Sequence, residues 1–135
     1  MVKYTFKKEE RLCNKRLLTS LFQSGSSFIL YPYRLTFIKS QDLPSVAQIV
    51  VSVSKRRFKK SVDRNLLKRR IREAYRLQKH DALHSFLLAN ETQVLVAIQY
   101  IGKAIEPYEL MHRRMGDALL KLQHEYNRLY MGTVN

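Results

Sequence analysis

This chain of 135 residues has one cysteine, no tryptophan, four glycines and three prolines, and only eleven acidic residues against twenty-five Lys and Arg. Each shortage excludes something. The lone thiol, Cys13, allows no internal disulfide and has no second thiol to help hold a metal; it fits a small residue near a helix start. Glycine is too sparse for a phosphate-cradling loop. No apolar run approaches the roughly 18 residues of a membrane span. The opening Met-Val-Lys-Tyr-Thr-Phe-Lys-Lys-Glu-Glu lacks the apolar centre of an export signal. A cytoplasmic protein without a membrane partner is expected. The histidines, His80, His84, His112 and His124, are scattered. His80 and His84 are four apart but have no third ligand near them in sequence, so no metal site is expected. No Ser/His/Asp or Cys/His grouping points to catalysis by protein side chains.

What the chain does have is a packed-core composition, 45% hydrophobic, and a localised charge. The length suits one domain, taken as residues 1–135 with an ordered core over about 6–126. Between Lys55 and Lys79 lie twelve Lys or Arg and two acids, Asp63 and Glu73, a net +10 out of the formal +14. So concentrated a positive charge calls for a polyanion, and nucleic acid is the commonest.

Hydrophobic periodicity predicts a short helix over Leu12–Gln23, capped by Asn14 and ended by Ser24-Gly25-Ser26-Ser27. Phe28–Lys39 is aromatic and β-branched and predicts one strand, with Pro32 pushing its first half to an edge or a bend. Val46–Ser54 alternates as a second strand, and the short turn between them predicts antiparallel pairing. A helix follows from Ser61, a candidate cap, to about His80, with one or two further helical turns over Asp81–Leu88. Thr92–Tyr100 is apolar on both faces, as a central strand would be. Pro107 opens a last helix whose stripe is Met111, Met115, Ala118, Leu119, Leu122 and Tyr126. The fold class expected is α/β (α+β), a two-layer sandwich with a small mixed sheet in α-β-β-α-β-α order.

At about 100° per residue, Leu67, Ile71, Ala74 and Tyr75 share one face of the basic helix. Arg64, Asn65, Lys68, Arg69, Arg72, Arg76 and Lys79 form the adjacent flank. Neighbours three and four apart there repel, and a helix built only for solubility would interleave acids. Arginine forks clamp phosphate oxygens, and Asn65 adds an acceptor within the ridge.

Ser52-Val53-Ser54-Lys55-Arg56, followed by Asp63-Arg64-Asn65-Leu66-Leu67-Lys68-Arg69-Arg70-Ile71-Arg72-Glu73-Ala74-Tyr75, resembles the signature of the bacterial ribonuclease P protein subunit family. The helix motif matches without gaps, and Arg11-Leu12 and Leu21-Phe22-Gln23-Ser24-Gly25 are also similar. The resemblance implies a left-handed βαβ crossover carrying the basic helix. It implies an accessory subunit of an RNA-catalysed endoribonuclease, with no catalytic residue in the protein and Mg²⁺ bound mainly by the RNA. Its partners would be the catalytic RNA and precursor tRNA, with no protein partner required. By position, Arg64, Asn65, Lys68, Arg69, Arg72 and, beyond them, Arg76 would face the RNA subunit. Leu18, Phe22, Thr36, Lys55 and Arg56 would border a cleft for the single-stranded 5′ leader. Two departures stand out: Leu18 where many members carry an aromatic, and Val50 in place of a glycine frequent in the second strand. The competing reading is a structural RNA-binding protein of ribosomal type. A DNA-binding factor is less favoured, for no positioning helix precedes the basic one.

Overall fold

The computed structural model describes residues 5–131. After a 3₁₀ turn at Lys8–Glu10 the elements are α1 (Lys15–Ser24), β1 (Ser26–Leu30), β2 (Tyr33–Ser40), β3 (Ala47–Val53), α2 (Ser61–Lys79), α3 (Ser85–Ala89), β4 (Gln93–Tyr100) and α4 (Tyr108–Tyr130). A single π turn, His80–His84, joins α2 to α3. The mixed class expected from sequence holds, with one more strand than expected.

The Asn14 side chain accepts from Arg16 N at 2.9 Å and Leu17 N at 3.1 Å, so α1 starts at Lys15. Leu12 is not in the helix; its N–H bonds Ile49 O at 2.9 Å. The cap of α2 is also shifted. Lys60 is the N-cap, and Ser61 is already helical and makes no side-chain cap bond.

The expected strand over Phe28–Lys39 is two strands. The chain reverses at Tyr31-Pro32, so β1 pairs antiparallel with β2 from Ser26↔Phe37 to Leu30↔Tyr33. Proline fixes φ and cannot donate to a ladder, which favours a turn over a continuing strand. The expected pairing of β2 with β3 is also absent. The sheet order is β1-β2-β4-β3, with β4 antiparallel to β2 and parallel to β3. A strand apolar on both faces gains most in the middle, and the parallel pair needs the α2 crossover to connect it. The short β2–β3 link instead passes the start of β4. There the Gln93 side chain holds it, accepting from Leu43 N at 2.9 Å and donating to Leu43 O at 2.9 Å and Ser45 O at 3.1 Å.

On one sheet face Tyr33, Leu35, Phe37, Ile49, Val96 and Ile98 pack against α2 and α4. The four residues expected on the inner face of α2 and the six-residue stripe of α4 are all buried. On the opposite face Leu12 and Leu21 meet Leu95 and Ala97, so α1 lies across the sheet from α2. Gly25 makes the turn from α1 into β1 possible: a Cβ there would collide with the Leu21 carbonyl oxygen and reach 3.0 Å from Phe37 O.

Candidate nucleic-acid interface

Burying Leu67, Ile71, Ala74 and Tyr75 against the sheet fixes the rotation of α2 and turns its cationic flank outward. Asn65, Arg69 and Arg72 are exposed there, and Lys68 is half-exposed. None of these four makes an ion pair among the described residues. The other basic residues are committed. Arg64 Nη1 donates to Phe58 O at 2.8 Å and Lys59 O at 2.9 Å, bracing the loop that enters α2. Arg70 Nη1 donates to Glu106 O at 3.0 Å and ties α2 to the loop before α4. Arg76 grips the Glu73 carboxylate through Nε (3.1 Å) and Nη2 (2.7 Å). That bond holds the Glu73 carboxyl below its usual range.

Lys79 does not belong to the ridge. Its ammonium is buried against the Glu10 carboxylate and the Thr5 carbonyl oxygen. The wheel places it correctly, but the N-terminal segment folds over that end of the flank, and nothing local in the sequence announces a partner so far away.

The residues expected at the leader cleft fall on α1 and on the sheet face it covers. Leu18 is half-buried in the small apolar cluster beneath α1, whereas Phe22 is 53% exposed. Thr36 is buried and its hydroxyl is 2.8 Å from Ser27 Oγ. Lys55 and Arg56 are exposed in the turn after β3, where Arg56 N donates to Ser54 Oγ at 3.1 Å. Val50 stands opposite Ala97 and is half-buried on the same side.

Sequence reasoning missed a polar row beyond the reach of α1. Ser52, Gln99 and Arg34 are successive cross-strand partners on β3, β4 and β2. With Ser54, Arg57, Tyr100 and Ile101 they line a cleft of about 270 Å³. Arg57 Nη1 closes one side by donating to Ile101 O at 2.5 Å. Strand alternation sets Arg34 and Ser52 on the face away from Leu35 and Val53, but only the strand order shows that Gln99 lies between them.

Among the described residues no three His, Cys, Asp or Glu side chains come together as a metal site, and no helix is long and apolar enough to cross a membrane. The arrangement can bind a polyanion on α2 and an extended polar chain across the sheet.

Known proteins resemble this chain in sequence and in fold. A family model described as Ribonuclease P matches residues 6–104. A ribonuclease P protein component of Porphyromonas gingivalis is 31% identical over 116 residues, covering 85% of this chain and 84% of that protein. One from Chlorobium phaeobacteroides is 32% identical over 126 residues, covering 82% and 83%. The solved RNase P protein from Thermotoga maritima superposes with a TM-score of 0.66 at 19% identity, over 83% of this chain and 96% of that one. That of Staphylococcus aureus gives 0.63 at 18% identity, over 84% and 94%.

Proposed function

Because this chain belongs to the ribonuclease P protein family, we propose that it is the protein subunit of a ribonuclease P in which the RNA is the catalyst. It binds that RNA and the 5′ leader of precursor tRNA, and so supports 5′ maturation of tRNA in the cytoplasm. The observation that carries the reading is α2, whose apolar face is buried while Asn65, Lys68, Arg69 and Arg72 stand outward without carboxylate partners among the described residues.

Arg64, Asn65, Lys68, Arg69 and Arg72, with Arg76 at the far end, face the RNA subunit in this proposal. The leader crosses the opposite sheet face. Phe22 offers a free ring for a base, Leu18 and Thr36 form wall and floor, and Lys55 and Arg56 meet phosphates where β3 ends. The Arg34–Gln99–Ser52 row extends that floor with groups that bond sugars or base edges. Mg²⁺ would be held mainly by the RNA rather than by protein side chains, and would supply the Lewis acidity for hydrolysis there. The protein's part is to hold the leader so that the scissile bond stays in place.

Reconstitution tests this. Adding the pure protein to a cognate ribonuclease P RNA at low Mg²⁺ is expected to restore precursor cleavage. Cleavage that stays at the RNA-alone level overturns the proposal in favour of a structural RNA-binding role.

A further inference from the structure

The N-terminal segment that hides Lys79 supplies another cation close by. Arg11 and Arg72 line the same cleft, about 340 Å³, with Phe6, Leu12 and Cys13 along it and Ile49, Val50 and Val51 of β3 as its floor. Both arginines are exposed, and neither makes an ion pair among the described residues.

Both are also held by rigid elements. Arg11 bridges in parallel to Ile49, Leu12 N donates to Ile49 O at 2.9 Å, and Gln48 Nε2 donates to Glu9 O at 3.0 Å. The Arg11 guanidinium carbon sits 5.6 Å from the centre of the Phe6 ring, which steadies it. Arg72 is fixed by the buried face of α2. The Glu10 carboxylate, beside Arg11 in sequence, is taken by Lys79 and by Lys7 N at 3.0 Å.

Two arginines that line one partly apolar cleft, neither with an ion-pair partner among the described residues, suit an anion that both can hold. A phosphodiester has two free oxygens for two arginine forks, and its sugar and base have apolar surface for Phe6, Val50 and Val51. The volume lies at the lower end of small-ligand sites, roughly 300–1,000 Å³. That is room for a nucleotide rather than a bare ion.

We infer that Arg11 and Arg72 together clamp one RNA phosphodiester at the β3 edge. The inference rests on the ribonuclease P reading and deepens it. β3 is an edge strand with α2 on one face of the sheet and α1 on the other, so a nucleotide held there lies between the arginine ridge and the leader cleft. The phosphodiester belongs either to the RNA subunit or to the leader.

Arg11→Gln, Arg72→Gln and the double variant, in the full-length protein, are to be titrated against the RNA subunit alone. The holoenzymes they form are to be titrated against precursor tRNA with and without its leader, over a series of salt concentrations. Each single variant is expected to weaken one of these affinities about tenfold and to lower its salt slope by about one. The double variant is expected to lose less than the product of the two singles, because both arginines serve one phosphate. Loss on the RNA subunit names that source, and loss confined to leader-bearing precursor names the leader. Arg11→Lys keeps the charge and should recover the slope even if Arg11→Gln lowers the unfolding midpoint. An unchanged affinity in Arg11→Gln, strict multiplication of the singles, or no recovery by lysine overturns the clamp. A Lys68→Gln, Arg69→Gln variant separates the two levels. If it binds the RNA subunit normally, the ribonuclease P reading fails; if it binds the RNA subunit weakly while Arg11→Gln keeps its affinity for both the RNA subunit and leader-bearing precursor, only the clamp fails.

Discussion

Lys79 and Glu10, 69 residues apart in the chain, form an ion pair whose side chains are only 6% and 9% exposed. The same ammonium holds the Thr5 carbonyl oxygen, so one lysine on α2 ties down both Thr5 and Glu10. Removing one partner leaves the other charge buried and alone, at a cost of about 3–5 kcal/mol. Lys79→Met and Glu10→Leu are each expected to lower the urea midpoint sharply, and the double variant to recover much of the loss. A single variant within about 1 kcal/mol of the parent would contradict this.

Phe22 and Leu18 lie on the same helix but in different surroundings, and their truncations should separate. Phe22 is half-exposed, so Phe22→Ala is expected to change stability by less than about 1 kcal/mol. It is expected to weaken leader-bearing precursor by the loss of one base stack, about 1–3 kcal/mol, and to spare leaderless tRNA. Leu18 packs under α1, so Leu18→Ala should mainly destabilise. Thermal unfolding and paired binding titrations decide both.

The ridge residues also differ among themselves. Lys68→Ala with Arg69→Ala should lower the salt slope of RNA-subunit binding by about two while leaving the fold intact. Arg64→Ala should lower stability as well as affinity, because Arg64 holds the carbonyls of Phe58 and Lys59. An Arg64→Ala protein with unchanged unfolding would show that the loop does not depend on those bonds.

His84 should give the fold an acid-sensitive limb. Burial, with the Lys79 charge beside it, pushes its imidazole down from 6.5 to about 4, against a weaker opposing pull from Glu10. Its Nε2 lies 3.0 Å from the Tyr75 hydroxyl. A base with a lowered folded-state pKa contributes its full stability above the unfolded value. That contribution is lost as pH falls from 6.5 toward 4, where the unfolded chain takes the proton and the folded one resists. The expected loss is about 2 kcal/mol, allowing for partial exposure. His84→Gln, which can still bond Tyr75, should flatten the stability profile over that window. An identical profile in parent and variant removes His84 as the cause.

The helices were legible in the sequence because their faces repeat every three to four residues and bury as whole stripes: Leu67, Ile71, Ala74 and Tyr75 on α2, and Met111 through Tyr126 on α4. Asn14 announced its own cap, and β4 its central place, by purely local chemistry. Some failures were local, such as the α2 cap and the first hairpin, and the others were not. Tyr31-Pro32 carries no glycine or asparagine to mark a hairpin, so β1 and β2 read as one strand. The insertion of β4 between β2 and β3 depends on a segment some forty residues further along. The Ser52–Gln99–Arg34 row follows from that insertion, and the burial of Lys79 from a fold-back of the other end of the chain.

β3 has a sheet neighbour on one side only, and Arg11 and Leu12 dock along the first part of its other side. An open strand border is a template on which a second molecule can extend the sheet. The N-terminal fold-back covers part of that border at Ile49. A preparation clipped ahead of Cys13 is expected to elute larger and turn cloudy at concentrations the whole chain tolerates, even where its helical content is unchanged.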